Sequence, residues 1–549
     1  MTTDCLPITS LPGTSALFRD FADVETASEP KRLRRWYPSD PFSMEWATRS
    51  PQLSAEHRER LAEALRSQAD GFGLSEAARA NIDKLAHGAA AVVTGQQVGL
   101  FGGPLLTLLK AATAIRKAQE ATRISGREHV PVFWLASEDH DLEEVDKAEL
   151  FGKTTVEKFS LELKVAHAWP VGGIVLAPSA EGGAEKIASE LDRAQELLAY
   201  APIADTLREF YAAPGATLAG AFGKLIAHIF AAHGLIVMDA ASHEFHALGA
   251  PVLRTAIENA SSLEESLIAR SAELEAAGYH AQVLVQKGHS LLFLLDAETG
   301  ARWPLRRGDD GSWRAGQQTL TQTELLAILE AEPDRISPNA LLRPVFQDVI
   351  LPTAAYVGGP AEVAYFAQSA VVYEAVLGRV TPVLPRLSAT LIEPAIATVM
   401  DRHEVSFEQV LEARTAEQLA LRLGARAMPI EGKRKIAGAG NAMDTELTAL
   451  TEYMGTLSAE LGRAAAVSAS KMRYQMDRLR RMAARFETEK EASLAKHATA
   501  IMLHLLPEGH LQERVINGVQ FLAQDSETLI QTLIEAAEQT CPGHRVIRL

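Results

Sequence analysis

The chain has 549 residues, several times the roughly 150 of a typical domain, so more than one structural unit is expected. Its 47% hydrophobic and 23% charged residues exclude a disordered or collagen-like chain, and its net charge of −16 disfavours general attraction to nucleic acid or an anionic membrane. Cys5 and Cys541 make neither a disulfide framework nor a thiolate metal site, no positively charged leader precedes an apolar stretch, and no run of about 18 apolar residues occurs, so a soluble protein of the reducing cytoplasm is expected.

Residues 1–50 are rich in Pro and Ser and carry Lys31-Arg32-Leu33-Arg34-Arg35 before Trp36-Tyr37, a basic segment read as a solvated arm laid over the rest. Leu61 and Leu65 set a helical period in residues 53–87, with Ser54 as a cap and His87-Gly88 as a stop. From Ala89 a short apolar run suits a buried parallel strand. It ends in the glycine-rich stretch Gly95 to Pro104, after which a helix is expected from Leu105 to Glu120. The next strand, Val130 to Ala136, runs straight into Ser137-Glu138-Asp139-His140-Asp141. A helix over Thr217–Ala232 and a buried strand over Leu235–Asp239 repeat the β-α-β pattern, and alternation and turns between Tyr279 and Trp313, through His280–Asp296, Glu298-Thr299-Gly300 and Arg302–Leu305, predict a small β meander. Ser337-Pro338 reads as a helix start, and Val380–Pro385 as the last strand of the core. From Arg463 to Leu506 there is neither Gly nor Pro, and Leu461, Ala465, Ser468, Met472, Met476, Leu479, Met482 and Phe486 recur as a coiled-coil seam requires. The antiparallel partner is expected at Ile396–Leu423.

The expected fold class is therefore α/β. A parallel-sheet core in two parts (89–270 and 337–390) carries a small β-rich insertion (271–336), an N-terminal arm with helices (1–88), a helical coiled-coil arm (391–506) and a C-terminal segment returning to the core (507–549).

In open α/β sheets ligands bind beyond the carboxyl ends of the strands, and two such ends are rich in Gly or in acid and His. The Gly95–Pro104 loop matches neither Gly-x-x-x-x-Gly-Lys-Ser/Thr nor Gly-x-Gly-x-x-Gly, so no standard nucleotide fingerprint is present. Its glycines would still let backbone approach a ligand, with a helix N-terminus behind them for an anion. Lys110 in that helix reads as solvated. Glu138, Asp139 and Asp141 crowd three carboxylates around His140, an arrangement suited to a general base or a cation site. One local His is thin for zinc, and Mg²⁺ held partly by a nucleotide fits better than a protein-caged metal. Arg343, Gln347, Glu362, Tyr365 and Arg386, with Gly358-Gly359-Pro360, read as a second wall of one cleft.

Val93–Pro104, Val130–Asp141 and Leu351–Tyr365, with Pro385–Pro394 and Leu505–Arg514, resemble the BshC family of cysteine ligases in bacillithiol biosynthesis, and the resemblance covers nearly the whole chain. It implies a Rossmann-like core with inserted connecting segments and an antiparallel coiled coil mediating a homodimer. It also implies the last step of that biosynthesis, joining L-cysteine through its carboxyl to the amine of glucosaminyl-malate, with ATP or ADP and Mg²⁺ as the expected cosubstrate. Neither His-x-Gly-His nor Lys-Met-Ser-Lys-Ser, the adenylate-forming signatures of related enzymes, occurs. On this reading Asp139, His140 and Asp141 do base or amine-orienting work, and Glu138 is expected to bind substrate or nucleotide. The backbone from Thr94 through Gly95 to Gly102 and Gly103 holds a phosphate or carboxylate. Arg343 and Arg386 take the malyl carboxylates, while Gln96, Gln97, Gln347 and Tyr365 supply hydrogen bonds. Two alternatives stand beside it: a metal-dependent hydrolase or phosphatase built on the acidic cluster, and a non-catalytic coiled-coil scaffold, against which the strand-end motifs argue.

Overall fold

The computed structural model describes residues 3–22, 33–49, 51–163, 168–176, 184–524, 526–538 and 543–549. Strand β1 (Thr3–Leu6) opens the chain. The first core strands are β2 (Ala90–Gln97) and β3 (His129–Ala136), followed by a hairpin of β4 (Lys147–Phe151) and β5 (Val156–Ser160) and by β6 (Ile236–Asp239). An antiparallel group comprises β7 (His289–Leu295), β8 (Arg302–Arg307), β9 (Trp313–Ala315), β10 (Gln318–Leu320) and β11 (Ile336–Pro338). The chain then returns to the core as β12 (Thr353–Gly358) and β13 (Val383–Pro385), and closes with β14 (Ser388–Ile392) and β15 (His544–Arg548).

The central sheet is wholly parallel, in the order β13-β12-β2-β3-β6. Its inner strands are almost completely buried, as expected of near-continuous apolar runs covered by helices on both faces. The chain leaves β2 toward β3 and β6, then crosses back to β12 on the other side of β2, which makes the β2/β12 boundary the switch point where such sheets open a ligand crevice. The fold is α/β and Rossmann-like, with a C-terminal helical coiled-coil region.

Several elements depart from the sequence expectations. The 53–87 helix is two helices, Ala55–Phe72 and Glu76–Ala86, because Gly73 adopts a left-handed conformation (φ 65°) and stops the first. Ser54 does cap the first, accepting from the His57 backbone N–H. The expected β meander is present as β7 to β10, its first strand beginning at His289 rather than near His280, whereas Ser337-Pro338 lies in β11 rather than starting a helix. The basic segment does lie over the core: Lys31 and Arg32 lie outside the described residues, Arg34 and Arg35 are exposed, and the segment is anchored by the buried Leu33, Trp36 and Tyr37, whose hydroxyl donates to Val363 O at 2.6 Å. Cys5, in β1, is disulfide-bonded, so the cysteines no longer argue for a reducing compartment; Cys541 lies outside the described residues.

The arm is an antiparallel hairpin of Ile430–Leu457 and Ala459–Lys490, joined at Ser458, whose hydroxyl caps the second helix. Arg473 pairs with Asp444, while Thr488 bonds the Ala420 carbonyl near the base, where the Ala416–Ala427 helix lies alongside. The expected partner, Ile396–Leu423, is thus displaced to 430–457, a segment whose four glycines disguise it as a loop. The expected long helix also breaks at Glu491, before Ala492–Leu505. The seam is different too: Ala469, Met476 and Ala484 are buried, whereas Leu461, Met472, Leu479, Met482 and Phe486 are exposed, the last at 62%.

Candidate functional site

A cleft of about 730 Å³ opens at the carboxyl ends of β2, β3 and β12, bordered by Gly95–Gln97, Trp134–Ala136 and the Gly359–Glu362 turn. Gly95 pairs with Trp134 across the sheet, and a Cβ there would lie 2.7 Å from the Trp134 carbonyl oxygen, so the strand pair requires glycine. Asp139 stands just past β3, where its Oδ2 accepts from Gln97 Nε2 at 2.7 Å and its Oδ1 from the His140 backbone N–H at 2.7 Å. Gln97 also donates to Glu144.

His140 is held from the β insertion. Arg302, in β8, donates through Nη1 to His140 Nδ1 at 3.3 Å, through Nε to Ser337 Oγ and through Nη2 to the Pro338 carbonyl, both at 3.0 Å; its guanidinium lies 3.8 Å above the Phe293 ring. A guanidinium can only donate, so Nδ1 of His140 accepts and the ring proton sits on Nε2. Glu138 faces the buried His246, whose Nε2 is 3.0 Å from Oε1 but out of line for a hydrogen bond, and whose Nδ1 meets the Pro333 and Ile336 carbonyls. Burial opposes charge on His246, yet Glu138 raises its pKa above the ordinary value.

Glu138 and Arg302 also border a second cavity of about 510 Å³ toward β6. There Ser137 Oγ donates to Asp239, whose carboxyl is raised above its ordinary pKa by burial.

The opposite wall of the cleft is a closed network. Lys110 is buried, not solvated: Nζ donates to the Gly95 carbonyl at 2.7 Å and to Gln96 Oε1 at 2.9 Å, and pairs with Glu362 at 2.5 Å. Glu362 also accepts from the Gly359 N–H and the Tyr356 hydroxyl. Burial alone would raise the Glu362 pKa, but Lys110 and these donors hold it below the usual carboxylate range. Arg343 donates to Tyr365 at 2.7 Å, to Tyr356 and to Gln347. Arg386 forms a bidentate pair with Glu513, at 2.7 and 3.1 Å, which draws the C-terminal segment into the wall.

Gln96, Gln97, Glu138, Asp139, His140, Arg343, Glu362, Tyr365 and Arg386 therefore come together around one cavity. Asp141 is exposed outside it, Gln347 is fully buried behind Arg343, and Thr94 donates to the Val357 carbonyl inside the sheet. Gly102 and Gly103 adopt positive φ as their loop turns away from the cleft, and the loop's groups are taken by the protein itself: the Gly102 N–H donates to the Tyr211 hydroxyl, Leu105 N–H to the Ile516 carbonyl, and Gly518 N–H to Gly103. The expected phosphate cradle at Gly102–Gly103 is thus filled, and the expected carboxylate readers Arg343 and Arg386 already have partners. Sequence reasoning missed Lys110, His246, Arg302 and Glu513. An isolated charge in an apolar stretch, as at Lys110, is the one signal that could have found them.

A family model described as the N-terminal Rossmann-like domain of bacillithiol biosynthesis BshC matches residues 1–387, and one for its C-terminal coiled-coil domain matches residues 389–549. The chain belongs to the BshC family. Relatives named "Putative cysteine ligase BshC" include one from Koribacter versatilis, 43% identical with 100% of both chains covered, and one from Solibacter usitatus, 33% identical with 99% of both covered. A third, from Salinibacter ruber, is 32% identical over 95% of each chain. Among solved structures, one titled as an arginyl-tRNA synthetase from Campylobacter jejuni aligns over 88% of this chain and 98% of its own at 11% identity and a TM-score of 0.24, too distant to bear on this chain's fold or activity.

Proposed function

We propose that this BshC-family chain is a cysteine ligase of bacillithiol biosynthesis that joins the carboxyl of L-cysteine to the amine of glucosaminyl-malate. The observation that carries the reading is the Asp139–His140–Arg302 constellation at the switch-point cleft, in a chain whose relatives bear that ligase name over their full length. Amide formation needs a deprotonated amine and neutralisation of developing oxygen charge. Asp139, fixed by Gln97, accepts from the incoming ammonium and removes its proton. His140, with its proton on Nε2, serves as a donor to the reacting carboxyl oxygen rather than as the base.

Condensing a carboxylate with an amine in water requires activation, which a nucleoside triphosphate supplies when bound. The cleft admits one in volume and carries cationic side chains, and among the described residues no group of three or more His, Cys, Asp or Glu is arranged to hold a metal, so Mg²⁺ would lean on nucleotide oxygens. The exposed apolar face of the arm serves a homodimer in this reading, and no described helix is long and apolar enough to cross a membrane.

The test is direct. Purified protein incubated with glucosaminyl-malate and labelled cysteine, with and without each nucleoside triphosphate, should yield bacillithiol by mass spectrometry. Asp139→Ala should cut the rate by about 10²-fold or more and His140→Ala by a similar factor. Wild-type rates in both variants would remove the assignment, and product without any nucleotide would remove the activation scheme.

A further inference from the structure

Five cationic side chains border the strand-end cleft, and four already have partners: Lys110 with Glu362, Arg302 with Ser337, Pro338 and His140, Arg343 with two tyrosines and Gln347, and Arg386 with Glu513. Arg514 is the exception among the described residues, for its guanidinium has no hydrogen bond or ion pair.

Its backbone is nevertheless held firmly. Glu513 accepts from the Ala389 N–H at 2.8 Å, and Gln512 bonds the Leu391 N–H and carbonyl at 2.8 and 2.9 Å, locking the short Gln512–Val515 helix onto β14. The side chain next to this clamp is exposed and reaches the cleft. Although its surface is exposed, partial desolvation where it enters the cleft, then the neighbouring Arg386, pull the Arg514 pKa below the usual guanidinium value, and Glu513 offsets this only in part. An anion is what these surroundings lack.

We infer that Arg514 is the anchor for a substrate oxyanion, a carboxylate or a phosphate, at the mouth of the cleft. A planar guanidinium on a fixed backbone matches either group with two parallel hydrogen bonds. The inference rests on the ligase reading only for which substrate brings the oxyanion; the binding itself does not. It replaces Arg343 and Arg386, whose donors face the protein's own acceptors.

Isothermal titration calorimetry on the full-length protein, with malate and separately with ATP, reads binding without turnover. Arg514→Gln is expected to weaken at least one of the two by about tenfold or more, with Arg514→Lys intermediate and thermal unfolding unchanged. A loss confined to malate identifies a carboxylate, and one confined to ATP identifies a phosphate. Equal affinities in wild type and Arg514→Gln, or no binding of either ligand by the wild type, overturns the assignment. In the product assay the matching KM should rise while kcat holds. Product formed with an unchanged KM for both substrates removes Arg514 and leaves the ligase reading standing; weakened binding with no product from cysteine does the reverse.

Discussion

Arg386 and Glu513 in the cleft wall meet at 2.7 Å with side chains 4% and 2% exposed, while Arg473 and Asp444 on the arm meet at 2.6 Å with side chains 44% and 60% exposed. The contacts are equally short and the physics differs. In the wall both charges have left water, so each depends on the other and on the surrounding N–H and hydroxyl donors, Ala389 and Ser388 among them. On the arm water solvates either charge alone, and the pair adds little. Apolar groups reverse the pattern: the core covers its large apolar side chains, whereas the arm buries a few, such as Leu447 and Met476, and leaves several exposed, Leu479, Met482 and Phe486 among them.

The largest expected effect breaks the wall. Glu513→Ala should cost about 3–5 kcal/mol by chemical denaturation, because it strands Arg386, and a paired Arg386→Met/Glu513→Leu replacement should recover most of that. A Glu513→Ala loss below about 1 kcal/mol would erase the contrast with the arm. Next comes pH. Burial pushes the His544 pKa down from 6.5 to about 4, between Ser388 and Thr390. The unfolded chain therefore takes up this proton between pH 6.5 and about 4 while the folded chain does not, so stability is full above pH 6.5 and falls by about 3 kcal/mol across that window. His544→Gln should flatten that part of the profile; an unchanged slope would mean other groups produce it. On the arm, Met482→Glu with Phe486→Glu should convert a dimer to a monomer in analytical ultracentrifugation, with monomer stability changed by about 0.5 kcal/mol or less for each exposed site. A wild-type protein that sediments as a monomer would sink the dimer reading. The smallest effect is Asp444→Ala, expected at about 0.2–1 kcal/mol and shrinking with added salt.

How much was legible depended on what each feature rests upon. Buried parallel strands advertise themselves as apolar runs, so β3 and β6 could be read within a residue and β2 except for its last three residues, Gly95–Gln97, which read as loop; Gly95 to His140 could be placed at strand ends from their order alone. Gln97, Asp139 and His140 could be placed on the cleft for that reason. Gln347 and Thr94 were misdirected because chain order puts a residue near a strand or helix but not on its solvent side. The arm was recognisable as helical, yet glycines at 432, 438, 440 and 455 hid half of it. At Gly440 a Cβ would meet only the Arg480 guanidinium, the far end of a flexible side chain that can move aside.

By itself the sequence determined the α/β class, the family and the positions of the acidic and glutamine clusters, since these follow from local periodicity and from motifs contiguous in the chain. Only the tertiary structure decided which charges are paired within the protein and which face the cleft. Lys110 and Glu362 lie 252 positions apart and Arg386 and Glu513 lie 127 apart, so their pairing comes from the crossing of β12 beside β2 and the return of the C-terminus. Desolvation is the reason this matters. A buried charge must find a partner, and the partners here come from other elements, leaving Arg514 as the cleft cation with its hydrogen bonds unspent among the described residues.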